Sequence, residues 1–102
     1  MQLLKHSSDK DWISAFEIIE TVRGNTPLTY FEFSTLAAFQ MLSNYDCDAW
    51  LIEVGLGGRL DATNIIESSV SLLTSIAMDH EDWLGDSIDK IAREKVGIAK
   101  IN

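Results

Sequence analysis

Glu53, His80 and Lys95 are the residues whose types and surroundings could do chemistry. Glu53 lies at the carboxyl end of an apolar run, DAWLIEV (48–54), and the loop after it, GLGGRLDATN (55–64), is rich in glycine. Asp79 and His80 follow a second apolar run, VSLLTSIA (70–77). In open parallel sheets, ligands bind beyond the carboxyl ends of the strands. If the two runs are neighbouring parallel strands, Glu53 and His80 share one edge. Carboxylate oxygen and imidazole at such an edge suit a divalent cation such as Mg²⁺ or Mn²⁺. The glycines let the backbone approach a ligand and offer N–H groups to anions. The competing reading is a solvated strand-end glutamate and a structural Asp-His pair.

Lys95 stands out on the last helical pattern. At about 100° per residue, Ile88, Ile91, Ala92, Val96, Ile98 and Ala99 share one arc, and Lys95 sits in the middle of it. A cation at the centre of an apolar stripe is costly unless it is paired or altered. Either the long stem carries the charge to water, or burial makes the amine reactive. The pattern leaves both open.

The elements that would position these residues are legible in outline. Residues 11–23 place Trp12, Ala15, Phe16, Ile19 and Val22 on one helical face, and Gly24 followed by NTP (25–27) ends the helix. Residues 29–43, starting near Leu28 or Thr29, read as a helix apolar almost all round, hence buried on more than one side. Residues 48–54 and 70–77 read as central strands. A last helix over 87–100 takes Asp86 or Ser87 as its cap. This is an α/β layer pattern. Two central strands need flanking neighbours, so the expectation is a single partial domain over 1–102, a piece of a larger sheet.

Bulk properties narrow the classes. The chain has 102 residues and is 46% apolar, a globular composition. No stretch reaches the roughly 18 apolar residues of a membrane span, and the N-terminus lacks a secretory pattern, so the expected location is cytoplasmic. The net charge is −8, from 16 acids and 8 bases, with no basic face for nucleic acid. Cys47, the lone cysteine, reads as a buried structural thiol.

Known glycine motifs fit poorly. The dinucleotide fingerprint G-x-G-x-x-G fails at Leu60, and G-x-x-x-x-G-K-[ST] occurs nowhere in the chain. The run IEVGLG resembles the first motif of S-adenosylmethionine-dependent methyltransferases, but Arg59 stands where that motif has a further glycine.

Three longer stretches carry a more specific likeness: LTYFEFSTLAAF, LIEVGLGGRLDATNII and TSIAMDHEDWLGDSIDKIAREKVGI. In this order and spacing they resemble the bifunctional dihydrofolate synthase/folylpolyglutamate synthase family of the Mur ligase superfamily, over about residues 11–100. The resemblance implies the central part of a three-layer, parallel-sheet, P-loop NTPase-like domain. It implies an ATP- and Mg²⁺-dependent ligase that adds L-glutamate to dihydropteroate or to the γ-carboxyl of a folate through an acyl phosphate. Glu53 and His80 then match metal ligands, and Lys95 matches a lysine carrying a carbamate. Thr29, Tyr30, Phe31, Glu32, Leu60, Asp61 and Ala62 match segments lining the pterin site. Val96 departs from the commoner alanine and is expected to crowd Lys95 or be tolerated. The family's phosphate loop and C-terminal domain are expected to lie outside these residues. The full-length family is expected to be monomeric. The isolated chain is expected to lack turnover, with a non-catalytic fragment retaining pterin or metal binding as the alternative.

Overall fold

The computed structural model describes residues 6–77 and 85–99. Among them are three α-helices: α1 (Asp9–Arg23), α2 (Tyr30–Ser43) and α3 (Ile88–Val96), with a 3₁₀ turn at Ala62–Ile65. The chain divides into two compact units, residues 1–51 and 52–102.

The first unit is a helical pair. Both helices begin with a reciprocal cap that satisfies backbone N–H groups no helical carbonyl can reach. Ser8 Oγ accepts from the Asp11 N–H at 3.2 Å, and the Asp11 carboxylate accepts from the Ser8 N–H at 3.3 Å. Thr29 Oγ1 accepts from the Glu32 N–H at 3.2 Å, and the Glu32 carboxylate accepts from the Thr29 N–H at 2.8 Å. α1 stops at Gly24, whose φ of 55° suits glycine.

Small residues let the helices meet. Ala15 on α1 and Ala37 and Met41 on α2 form the buried centre, with Trp12 and Ile19 packed against it. Beside them Trp12, Phe16 and Phe33 form a chain of tilted rings with centroids 5.6 and 5.7 Å apart. Such pairs add about 0.5–1.5 kcal/mol beyond burial. The Arg23 guanidinium lies 5.7 Å from the Phe33 centroid while forking onto Glu20. As expected for an all-round apolar helix, every position of α2 from 33 to 42 is buried or half-buried. α1 buries less of its stripe, since Phe16 is 37% and Val22 79% exposed. The Tyr45 hydroxyl ties the end of the pair to its start, donating to Asp11 Oδ2 at 3.0 Å. Bonds from Ser8 and then Tyr45 hold the Asp11 carboxyl below its ordinary range.

Two expectations change here, and a third is not met among the described residues. Cys47 is exposed rather than buried. The last helix ends at Val96, with Gly97 as its cap, so Ile98 and Ala99 lie beyond it. No strand forms among the described residues, so the expected sheet is absent there. Residues 48–54 and 70–77 are not paired in a ladder, and Leu51, Val70 and Leu72 are 90%, 85% and 80% exposed. A strand exists only while its N–H and C=O groups meet a neighbour's, and apolar periodicity cannot supply that neighbour.

Thr29→Ala removes one half of the α2 cap and is expected to cost about 1 kcal/mol. Chemical denaturation followed by far-UV circular dichroism tests this, and an unchanged midpoint would show the cap to be idle.

Candidate functional site: a glycine loop locked to a helix end

The second unit is organised by one carboxylate. Asp61 Oδ2 accepts from the N–H groups of Gly55 and Leu56 at 3.1 and 2.9 Å. Asp61 Oδ1 accepts from the Thr63 N–H at 2.9 Å and the Thr63 hydroxyl at 2.7 Å. The same side chain therefore closes the glycine loop and caps the 3₁₀ turn. Burial pushes the Asp61 carboxyl up. Bonds from the Leu56 N–H, the Thr63 hydroxyl and N–H, and the Gly55 N–H outweigh it and hold the group below the ordinary carboxylate range. Loop amides expected to face an external anion serve this internal one instead at Gly55 and Leu56.

The loop then presses against the last turn of α3. The Arg59 N–H donates to the Glu94 carbonyl at 2.8 Å. The Arg59 guanidinium reaches the Glu94 carboxylate from Nε at 3.2 Å and from Nη2 at 3.0 Å. Asn64 Nδ2 donates to the Arg59 carbonyl at 2.9 Å and the Gly97 carbonyl at 3.2 Å. Ser71, at the start of the second apolar run, donates to the Ile98 carbonyl at 3.3 Å. Helix ends leave carbonyls without intrahelical partners; here the loop takes that of Glu94, while the N–H groups of Gly97, Ile98 and Ala99 take those of Arg93, Lys95 and Val96.

This approach explains two glycines. A Cβ on Gly58 would lie 2.6 Å from the Glu94 carbonyl oxygen and 2.9 Å from that of Lys95. A Cβ on Gly97 would lie 2.8 Å from Arg59 Cα. Gly97 has φ −58°, which any residue adopts, so space and not backbone freedom selects it.

The candidate residues are distributed as follows. Glu53 is exposed, two positions before Gly55. Lys95 is half-buried on the turn covered by Gly58. Ile91 on the same helix is fully buried, whereas Ile88 and Val96 are 54% and 48% exposed, so only part of the apolar arc is covered. The exposure of Val96 leaves room for its extra methyl groups. Leu60 is 77% exposed, while Asp61 and Ala62 are half-buried. In the first unit, Thr29 and Glu32 cap α2 and Tyr30 is 90% exposed beside Phe31 at 47%. Asp79 and His80 lie outside the described residues. No three His, Cys, Asp or Glu side chains gather among the described residues. Mg²⁺ is commonly held by one or two carboxylates together with substrate phosphates and water, and a single exposed Glu53 fits that mode. Arg59, Asn64 and Glu94 were not legible as partners, because no local rule links positions 59 and 94. The Asp-x-Thr cap at 61–63 was available as a turn signal.

No family model matches the chain. It is 54% identical over 91 residues to the dihydrofolate synthase/folylpolyglutamate synthase of Buchnera aphidicola subsp. Schizaphis graminum, covering 89% of this chain and 22% of that protein. It is 52% identical over 85 residues to the Escherichia coli protein of the same name, covering 83% and 20%. The solved structure of E. coli FolC in complex with ADP superposes with a TM-score of 0.89 at 47% identity, over 92% of this chain and 23% of that one. A ligand-free Yersinia pestis structure superposes at 0.84 with 50% identity, over 92% and 23%. The chain spans about a fifth of the length of the curated relatives it matches. Over that span it belongs to the dihydrofolate synthase/folylpolyglutamate synthase family.

Because folding lowers the Asp61 pKa, the unfolded chain binds the extra proton first, and stability rises with pH between the two values. The contribution is fully present above the unfolded value of about 3.9 and is lost as pH falls through the folded one. Asp61→Asn is expected to remove this acid-limb dependence and to speed hydrogen exchange at Gly55 and Leu56. An acid limb identical to that of the parent chain would refute the assignment.

Proposed function

We propose that this chain is part of an ATP-dependent ligase joining L-glutamate to dihydropteroate or to the γ-carboxyl of a folate. The observation that carries the reading is the 52% identity with the E. coli dihydrofolate synthase/folylpolyglutamate synthase across 83% of the chain. Support also comes from the solved relative bound to DHPP and ADP, which matches 92% of the chain at a TM-score of 0.89. In this reading residues 1–102 form one partial domain, and 48–54 and 70–77, unpaired in this structure, take their places in a parallel sheet only when further strands flank them. The protein acts as a cytoplasmic monomer, with no nucleic-acid or membrane partner. No helix among the described residues is long and apolar enough to cross a membrane.

The substrate carboxylate takes the γ-phosphoryl group of ATP, giving an acyl phosphate and ADP. The α-amino group of glutamate attacks the acyl carbon, phosphate leaves, and the amine gives up a proton. A divalent ion, Mg²⁺ or Mn²⁺, supplies charge neutralisation at the phosphate oxygens when bound. Glu53 and His80 would hold it directly, and Lys95 through a carbamate. Conversion of Lys95 to a carbamate replaces a half-buried cation by oxygen donors, which resolves the cost of its place on α3. Thr29, Tyr30, Phe31, Glu32, Leu60, Asp61 and Ala62 line the pterin site in this reading. Tyr30 and Phe31 present exposed rings that could stack on a pterin, while Thr29 and Glu32 hold the helix end that carries them. Phosphoryl transfer depends mostly on positioning, and these residues contain no G-x-x-x-x-G-K-[ST] loop. The purified 102-residue chain is therefore expected to show no turnover.

The test grafts the matched region into the E. coli relative. The graft should consume ATP in the presence of both glutamate and dihydropteroate. Glu53→Gln or Lys95→Met should lower that rate by about a hundredfold. A graft that folds and binds ADP yet shows no glutamate-dependent turnover would favour a non-catalytic fragment.

A further inference from the structure

We infer that Asn64 and Gly58 are positioning residues for Lys95, acting through the backbone of the last turn of α3. The inference rests on the reading of Lys95 as a carbamate-bearing lysine.

The backbone is held on both sides of Lys95. Before it, the Glu94 carbonyl accepts from the Arg59 N–H at 2.8 Å. After it, the Gly97 carbonyl accepts from Asn64 Nδ2 at 3.2 Å. Asn64 also accounts for the Arg59 carbonyl at 2.9 Å, so one side-chain amide ties loop and helix together. At Lys95 itself, the missing side chain of Gly58 leaves room for its carbonyl, which would lie 2.9 Å from any Cβ there. The loop that makes these contacts starts two residues after Glu53 and is closed by Asp61. Loop and helix end therefore share one hydrogen-bonded frame, and the place of Lys95 is referred to the segment that carries Glu53. The Arg59–Glu94 ion pair adds less: its arginine is 55% exposed, and exposed pairs contribute little in water. The backbone bonds and the close approach at Gly58 are the parts that fix position.

A carbamate forms when the neutral Lys95 amine attacks CO₂, creating an N–C bond and releasing one proton. It is observable without turnover, as a ¹³C resonance in the 102-residue chain equilibrated with ¹³C-bicarbonate. Loss of the signal in Lys95→Met assigns it. Asn64→Ala and Gly58→Ala should each reduce its occupancy, by about tenfold, the lower end of what outer-sphere partners contribute at such sites. Ser87→Ala, which weakens α3 from its opposite end by removing the cap on Lys90 N–H, serves as the control. At matched loss of helicity it should leave the occupancy unchanged. Parental occupancy in Asn64→Ala and in a Gly58→Ala chain of native helicity would overturn the positioning role. So would an equal loss in Ser87→Ala, which would make the effect one of stability alone. Absence of the resonance from the parent chain would instead overturn the reading of Lys95, and this inference with it.

Discussion

The second unit depends on how closely a peptide loop can approach a helix end. The Arg59 N–H and the Glu94 carbonyl meet at 2.8 Å only because Gly58 has no side chain. A methyl group there would sit inside the contact distance of two carbonyl oxygens. Once the approach is made, the other bonds can form: Asn64 reaches two carbonyls, and Ser71 reaches a third. Each of these satisfies a helix-terminal or loop carbonyl.

Asp61 does the complementary work within the loop. Four donors around one carboxylate form a small anion-binding turn filled from within the chain. Charged hydrogen bonds of this kind are stronger than neutral ones, and their cost in burial is outweighed here. A loop with three glycines has much conformational entropy to lose, so an internal anchor is what allows it to hold one shape. Asp61 thus orders both the glycine loop and the 3₁₀ turn that follows it.

The first unit shows a different economy of means. The buried cluster among the described residues is Ala15, Ala37 and Met41, with the Trp12–Phe16–Phe33 ring chain adding contact between the helices and a capping box steadying the start of each one. The capping of α2 by Thr29 and Glu32 also gives a physical role to two residues that the family resemblance places at the pterin site. The rings of Tyr30 and Phe31 remain at the surface on the first turn of that helix.

Local chemistry was legible in the sequence. Helix starts to within one residue, at Asp86 or Ser87 and at Leu28 or Thr29, the stop at Gly24 and the burial of α2 on more than one side follow from nearest-neighbour rules: caps, turns and a 3.6-residue period. The combination EVGLGGRLDATN, DH-x-x-x-LG and REK-x-GI carried the family, because a long motif is a property of order and spacing alone. Tertiary structure decided what depends on separation in the chain. It assigned Gly58 and Gly97 to close approach, joined Arg59 and Asn64 to the end of α3, turned the loop amides toward Asp61, and left Cys47 exposed. The runs at 48–54 and 70–77 mark the boundary between the two. Their composition expresses a preference for a strand, but a strand is a relation between backbones, and only a neighbouring backbone can complete it.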